Sequence, residues 1–196
     1  MAISINGNGT ITGISVGGLP DGIVDTDMIA SNAVTPAKST ITPGKVLQIQ
    51  HASTTTAVEH KNSASHIFTG VTDDITPSAT SSNVFVSAVI QYDLYSASNG
   101  QDVGMGFKLT RTVGGTETTL YESDDAYDVY IYVTSQRMES RSHKTIEFLD
   151  SPNTTSAVTY NLYGYFWTSD WTQLQYQYND GNDESPSTIT LMEISA

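Results

Sequence analysis

The residues Val84-Phe85-Val86-Ser87-Ala88-Val89-Ile90 give the strongest indication of the fold class of this chain. It is a nearly continuous apolar run, rich in β-branched residues, and it lacks the three-to-four-residue spacing of an amphipathic helix. Such a run predicts a central strand in the core of a β-rich domain.

Shorter extended runs lie on both sides of this strand at near-regular spacing. The first begins at Val46, the second spans His66 to Thr69, and a third alternates apolar and other residues from Met105 to Leu109 before a return strand at Leu120-Tyr121. The later ones lie at residues 129–133, 144–149, 157–166, 174–178 and 188–194. Gly114-Gly115 predicts a tight hairpin turn, because both central positions of that turn favour positive φ. Short strands at this spacing, with no long helical period, predict an all-β fold: an antiparallel β-sandwich or jelly-roll head.

The first 44 residues have a different character from the rest of the chain. They are rich in glycine, and no aromatic residue occurs before Phe68. Short extended pieces are predicted first, then helical turns capped by Asp25 or Thr26 and restarted at Thr35-Pro36. Because small aliphatic residues cannot build a core alone, we expect residues 1–44 to be an extended anchoring segment and residues 45–196 to be the head. The anchoring side chains are expected to be Ile3, Ile5, Ile11, Ile14, Val16, Leu19, Met28 and Ile29.

The charge of the chain restricts its partners. The sequence has 196 residues, of which 21 are Asp or Glu and 8 are Lys or Arg, so its formal net charge is -13. A surface this acidic repels phosphate backbones, which argues against nucleic-acid binding and against adhesion to anionic membranes. The sequence has no cysteine and no apolar run of membrane-spanning length, so neither disulfides nor membrane insertion is expected.

Aromatic residues concentrate late in the sequence. Tyr160, Leu162, Gly164 and Phe166 alternate with Asn161, Tyr163, Tyr165 and Trp167, so both faces of one predicted strand are at least partly apolar. The outward face predicts contact with a neighbouring subunit or, alternatively, a platform on which a glycan stacks. The residues expected to serve either role are Tyr163, Tyr165, Trp167, Trp171, Tyr176 and Tyr178.

Sequence patterns associated with catalysis or metal binding are weak here. Gly13-Ile14-Ser15-Val16-Gly17 matches the nucleophile-elbow spacing but lies in an aromatic-free segment with no parallel α/β context. We expect the four histidines to be surface or subunit-contact residues. Acidic clusters at residues 122–128 and 179–184 offer oxygen ligands, yet neither completes an EF-hand, so solvated loops are expected. No catalytic residue, metal site or cofactor is therefore predicted, and the chain is not expected to be an enzyme.

Several motifs, in order, resemble those of bacteriophage virion proteins. The opening from Gly13 to Val34 resembles the N-terminal segments of phage tail-fibre proteins. The stretch from Gly70 to Val86 is similar to one found in small phage fibre-head domains. Those domains also tend to have a GFxLxR strand, here Gly106 to Arg111, and an ITLxEI strand, here Ile189 to Ile194. The sequence departs from the pattern at Asn83, where lysine is usual, and in its aromatic region.

This resemblance implies a virion protein with a β-sandwich or jelly-roll head, usually trimeric. It predicts a homotrimeric fibre or spike, held to capsid or tail proteins of the same phage through residues 1–44. A capsid decoration protein that stabilises the head is one alternative. A carbohydrate-binding module that recognises a host surface glycan is the other.

Overall fold

The computed structural model describes residues 4–5, 11–12, 45–61, 65–96, 103–123, 127–132, 138–166, 172–179, 181 and 184–196. Thirteen strands and no helix lie in these ranges. The strands are β1 (Ser4–Ile5), β2 (Ile11–Thr12), β3 (Val46–Thr54), β4 (Val58–Lys61), β5 (Ile67–Ile75), β6 (Asn83–Ser96), β7 (Val103–Val113), β8 (Thr116–Glu122), β9 (Val129–Ile131), β10 (Met138–Asp150), β11 (Val158–Phe166), β12 (Thr172–Tyr176) and β13 (Ser187–Ile194). Within the described part of the chain no helix is long and apolar enough to cross a membrane.

The chain divides into two compact units, Met1–Thr42 and Pro43–Ala196. In the first unit, β1 and β2 pair antiparallel, and Ile5 lies directly opposite Ile11. The remaining predicted anchoring residues and the helical turns predicted near Asp25 and Thr35 lie outside the described residues.

The second unit is an antiparallel sandwich with jelly-roll topology. One sheet contains β3, β13, β6 and β10, extended by β12 and β4, and the other contains β5, β11, β7 and β8, extended by β9. The pairs β3–β13, β5–β11, β6–β10 and β7–β8 are nested around the β7–β8 hairpin, as when one long two-stranded ribbon is wrapped into two sheets. The all-β fold class predicted from the sequence is confirmed.

Local sequence signals explain where several of these strands lie. Alternate residues of β6 from Val84 to Ile90 are buried, as are alternate residues of β11 from Val158 to Phe166. The two faces predicted for β11 are therefore confirmed. The β7–β8 turn is also confirmed, with φ of 56° at Gly114 and 83° at Gly115.

Two predicted strand boundaries were wrong for identifiable reasons. β10 was expected only from Lys144, but it begins at Met138, because pairing with β6 along its length stabilises a polar edge segment with no apolar signal. β12 was expected to reach Tyr178, but it ends at Tyr176, because Gln177 adopts a φ of 50°. The short strand β4 was not predicted, since its four residues are too few to show a period.

The partner of β6 changes at one point along its length. On one side β6 pairs with β13 through Val89 and with β12 from Tyr92 onward. Between them, the Gln91 N–H donates to Ser187 Oγ at 2.8 Å, and the Gln91 carbonyl accepts from the Gln177 N–H at 3.2 Å. These hydrogen bonds satisfy the buried backbone of β6 where neither neighbouring strand reaches it.

A close contact between β11 and β12 fixes the aromatic end of the core. Tyr176 is fully buried, and its ring and hydroxyl lie directly over Gly164, so a side chain at Gly164 would overlap them. Tyr176 also contacts the ring of Phe107 at 6.2 Å between centroids. Gly164 is therefore required by packing rather than by backbone conformation.

We predict that Gly164→Ala destabilises the head by about 3 kcal/mol, because the added methyl overpacks the core against Tyr176. Tyr176→Phe serves as the control. Its hydroxyl has no hydrogen-bond partner in the described part of the chain, so the control should change stability by less than about 1 kcal/mol. Urea unfolding followed by tryptophan fluorescence measures both, and equal effects of the two substitutions would contradict the packing explanation.

Candidate interaction surfaces

A buried carboxylate joins three separate parts of the sequence at one end of the sandwich. Glu193, on β13, is 1% exposed and accepts hydrogen bonds from the Ser78 N–H at 2.7 Å, Ser78 Oγ at 2.6 Å and Gln48 Nε2 at 2.7 Å. Gln48 also donates to the Thr76 carbonyl. Burial raises the pKa of Glu193, but hydrogen bonds from Ser78, Ser82 and Gln48 outweigh it and lower the pKa to about 2.

A second buried carboxylate lies in the same row of the sheet. Asp150 on β10 and Glu193 on β13 both pair with Val84 of β6. Asp150 Oδ1 accepts from Arg111 Nη1 at 2.7 Å, and Asp150 Oδ2 accepts from the Tyr160 hydroxyl at 2.8 Å. Burial and the adjacent Asp150 carboxylate raise the pKa of Tyr160. Asp150 thus ties the two sheets together, whereas Glu193 ties the segment between β5 and β6 to β13 and β3.

The residues next to this polar row point outward and form a continuous apolar row. Leu149 pairs with Phe85, Phe85 with Met192, and Met192 with Ile49, so four large side chains lie side by side across β10, β6, β13 and β3. Ile49 is 57% exposed and Leu149 is 56% exposed. Directly paired side chains in an antiparallel sheet contact each other on one face, so the four form a single strip. We call it the apolar row.

The opposite sheet carries an aromatic and charged surface, as the sequence indicated for Tyr163 and Tyr165. Phe68 contacts Tyr163 at 5.8 Å between ring centroids, and His66 stacks on Tyr165 at 5.1 Å. Charged groups are interleaved: Lys108 Nζ lies 5.0 Å from the Tyr163 ring centroid, the Tyr163 hydroxyl donates to Glu117, and His66 Nε2 lies 3.3 Å from Glu122. We call these residues the aromatic cluster.

The other predicted aromatic contacts have different environments. Tyr176 was wrongly assigned to a surface: it is fully buried, because β12 turns that side chain between the two sheets. Tyr178 is half-buried beneath the Arg141 guanidinium, 3.6 Å from the ring centroid. Trp167 and Trp171 lie outside the described residues.

One histidine expectation was also wrong. His60 is 2% exposed and packs edge-on against Phe166 at 4.5 Å between ring centroids, so it belongs to the core rather than to the surface. His51 and His143 are exposed, and His66 is half-buried. Sequence reasoning missed the burial of His60 because β4 itself was not predicted.

Some residues of the two acidic clusters accept hydrogen bonds from other residues of the sandwich. Asp128 accepts hydrogen bonds from the Tyr121 hydroxyl at 2.5 Å and from the Phe107 N–H at 2.9 Å, which holds β9 against β7. Burial and Asp128 raise the pKa of Tyr121 to about 12. In the second cluster, Asn179 Nδ2 donates to Glu184 at 3.2 Å. Among the described residues, no group of three or more His, Asp or Glu side chains is placed to hold a metal ion.

Comparisons with known proteins give only distant structural similarity. No protein-family model and no curated protein matches the sequence. The VP2 subviral particle of infectious bursal disease virus matches with a TM-score of 0.37 and 11% identity, over 77% of this chain and 38% of that chain. Dimeric latent PorU of Porphyromonas gingivalis matches with a TM-score of 0.29 and 10% identity, over 79% of this chain and 14% of that chain. The chain therefore spans well under half the length of these proteins.

We predict that Glu193→Gln lowers the stability of the head at neutral pH by about 2 kcal/mol, because an amide NH₂ would face the donors that the carboxylate now satisfies. The folded-state pKa is lowered, so the wild-type stabilisation is fully present above about pH 4.5 and decreases as the pH falls toward about 2. The variant should lose less stability over this range.

Chemical unfolding at several pH values between 7 and 2.5 measures this difference. The exposed residue Asp74 provides the control substitution Asp74→Asn, which should reproduce the wild-type profile. Parallel profiles for Glu193→Gln and the wild type would contradict the assigned role of Glu193.

Proposed function

We propose that this chain is a structural, non-enzymatic component of a bacteriophage particle. In this proposal, residues 45–196 form a projecting head, residues 1–44 attach it to the capsid or tail, and three copies associate. The protein acts through its surfaces and its place in the virion rather than through a reaction.

The observation that carries this proposal is that three motifs of the phage-like resemblance, those that follow the N-terminal one, meet in one cluster of contacts. The motif at residues 70–86 contributes Ser78, the motif at residues 106–111 contributes Arg111 and the motif at residues 189–194 contributes Glu193. Ser78 binds Glu193, Arg111 binds Asp150, and the two carboxylates flank Val84. Each motif is weak alone, but residues from all three take part in the hydrogen bonds around Val84, which gives a structural reason for their joint occurrence. The resemblance therefore supports a head of the same type as in small phage fibre proteins.

The fold and charge are in accord with this role. Jelly-roll sandwiches occur in viral capsid domains and in lectins, although the fold alone does not determine a function. A net charge of -13 disfavours contact with nucleic acid, which suits a component on the outside of a particle. Glu193 and Asp150 are both held by structural partners, so this proposal assigns function to the outer faces of the sheets.

The attachment role of residues 1–44 follows from their composition. Their side chains are small and aliphatic, with no aromatic residue before Phe68, which limits the apolar area that the segment can bury by itself. Such a segment gains stability by adding its backbone to the edge of another protein's sheet or by inserting aliphatic side chains into a groove. Proteins of the same phage particle are the partners that this proposal assigns.

Immunogold labelling of purified phage particles with an antibody against residues 45–196 tests this proposal. Label over the whole capsid is expected for a decoration protein or head fibre, and label confined to the tail is expected for a tail fibre. Antibody pre-absorbed with the purified protein is the control. Particles that contain the gene but show no specific label would refute the virion assignment.

A second candidate function is glycan binding, favoured by the aromatic cluster. Exposed rings flanked by carboxylates and an ammonium group are suited to stacking on sugar rings and to hydrogen bonding with their hydroxyls. Phe68 is 43% exposed at the edge of this cluster.

We expect Phe68→Ala combined with Tyr163→Ala to abolish binding to bacterial surface polysaccharides on a glycan array, if the cluster is a glycan site. Leu149→Ala, on the other sheet, is the matched control and should leave binding intact. Absence of binding by the wild-type protein to every polysaccharide tested would eliminate this second function.

A further inference from the structure

The apolar row lies on a part of the head that is unusually poor in acidic groups. Three successive outward rows cross the same four strands. They are Ile49–Met192–Phe85–Leu149, His51–Thr190–Ser87–Glu147 and Ser53–Thr188–Val89–Thr145. Glu147 is the one carboxylate in these rows, whereas the whole sequence has 21 Asp and Glu residues. Like-charge repulsion between two copies is therefore weakest at this face.

The histidine and the carboxylate of these rows lie at opposite edges of the face. His51 lies on β3, at one edge of the four strands, and Glu147 lies on β10, at the other edge. Both side chains are exposed, and His51 Nδ1 lies 2.9 Å from Thr190 Oγ1. When the β3 side of one copy meets the β10 side of another, Ile49 faces Leu149 and His51 faces Glu147. The face is thus complementary to itself in apolar contact and in hydrogen bonding, because an imidazole N–H can donate to a carboxylate.

The framework beneath this face is rigid enough to support an interface. Glu193 follows Met192 in the sequence and Asp150 follows Leu149, and both carboxylates point inward. Their hydrogen bonds fix the positions of β13 and β10. An interface on locked strands loses little conformational entropy when it forms.

We propose that the outer face carrying the apolar row is the surface through which copies of this chain bind each other, with the β3 side of one copy against the β10 side of the next. This assignment deepens the proposed self-association and replaces the aromatic cluster, which the sequence indicated, as the subunit contact. Phe68, Tyr163 and Tyr165 are already covered in part by Lys108, His66 and one another. The apolar row has no such cover on Ile49 and Leu149, each more than half exposed.

Sedimentation velocity and native mass spectrometry of the full chain test the proposal. The wild type is expected as an oligomer of the 21.1 kDa chain. Leu149→Asp and Ile49→Asp, which place a carboxylate in the apolar row from opposite edges, should each raise the dissociation constant at least about 100-fold. Phe68→Asp is the matched control on the other sheet and should change it less than about threefold. Circular dichroism checks that each variant is folded.

A charge exchange then tests the pairing of the two edges. His51→Glu should weaken association by about tenfold, because it places two carboxylates opposite each other. Glu147→Lys should have a similar effect, because it removes the carboxylate that can accept a hydrogen bond from His51. The double variant should recover affinity to within about threefold of the wild type, which a purely structural effect of either substitution would not produce.

The possible outcomes separate this proposal from the proposed function. A monomeric wild type would overturn both self-association and this surface, without bearing on whether the chain is a virion component. An oligomer that survives Leu149→Asp and Ile49→Asp but dissociates with Phe68→Asp would overturn this surface alone. An oligomer of two copies would support this surface while contradicting the trimer, whatever the labelling of particles shows.

Discussion

The pairing of β6 on both of its sides is the constraint on which the rest of the head depends. β10 runs along nearly its whole length, while β13 and β12 divide the other side between them at Gln91. Alternate residues of β6 from Val84 onward point into the core, so a shift of register by one residue would expose them all. The pairing of β6 with β10 brings the chain segments on either side of these two strands close together. The pairs β7–β8, β5–β11 and β3–β13 are nested inside and outside this pair.

Buried carboxylates supplement this pairing at the end of the sandwich where the apolar row lies. Glu193 and Asp150 lie on either side of Val84 and take their hydrogen bonds from loops and strands of both sheets. Carboxylates in such positions are stable only when their donors are in place, so they specify one arrangement of the strands. The residues beside them, Met192 and Leu149, are fixed as a result and face outward.

This arrangement gives the two sheets different outer surfaces. The sheet containing β6 presents an apolar row with few charges, whereas the sheet containing β11 presents rings interleaved with Lys108, Glu117 and Glu122. For a protein with net charge -13, the first surface suits contact with another copy, and the second suits a hydrated or polar partner.

The all-β class can be predicted from the amino-acid sequence, as can the β7–β8 hairpin at Gly114-Gly115 and the inward and outward faces of β11. These features depend on neighbours within a few residues, whose spacing is visible in the sequence. The tertiary structure, in contrast, brings Glu193 to Ser78, buries Tyr176 and His60, and extends β10 back to Met138. It also brings Ile49, Phe85, Leu149 and Met192 into one row, because contacts between residues so far apart in the chain arise from strand order and register, which no local pattern records.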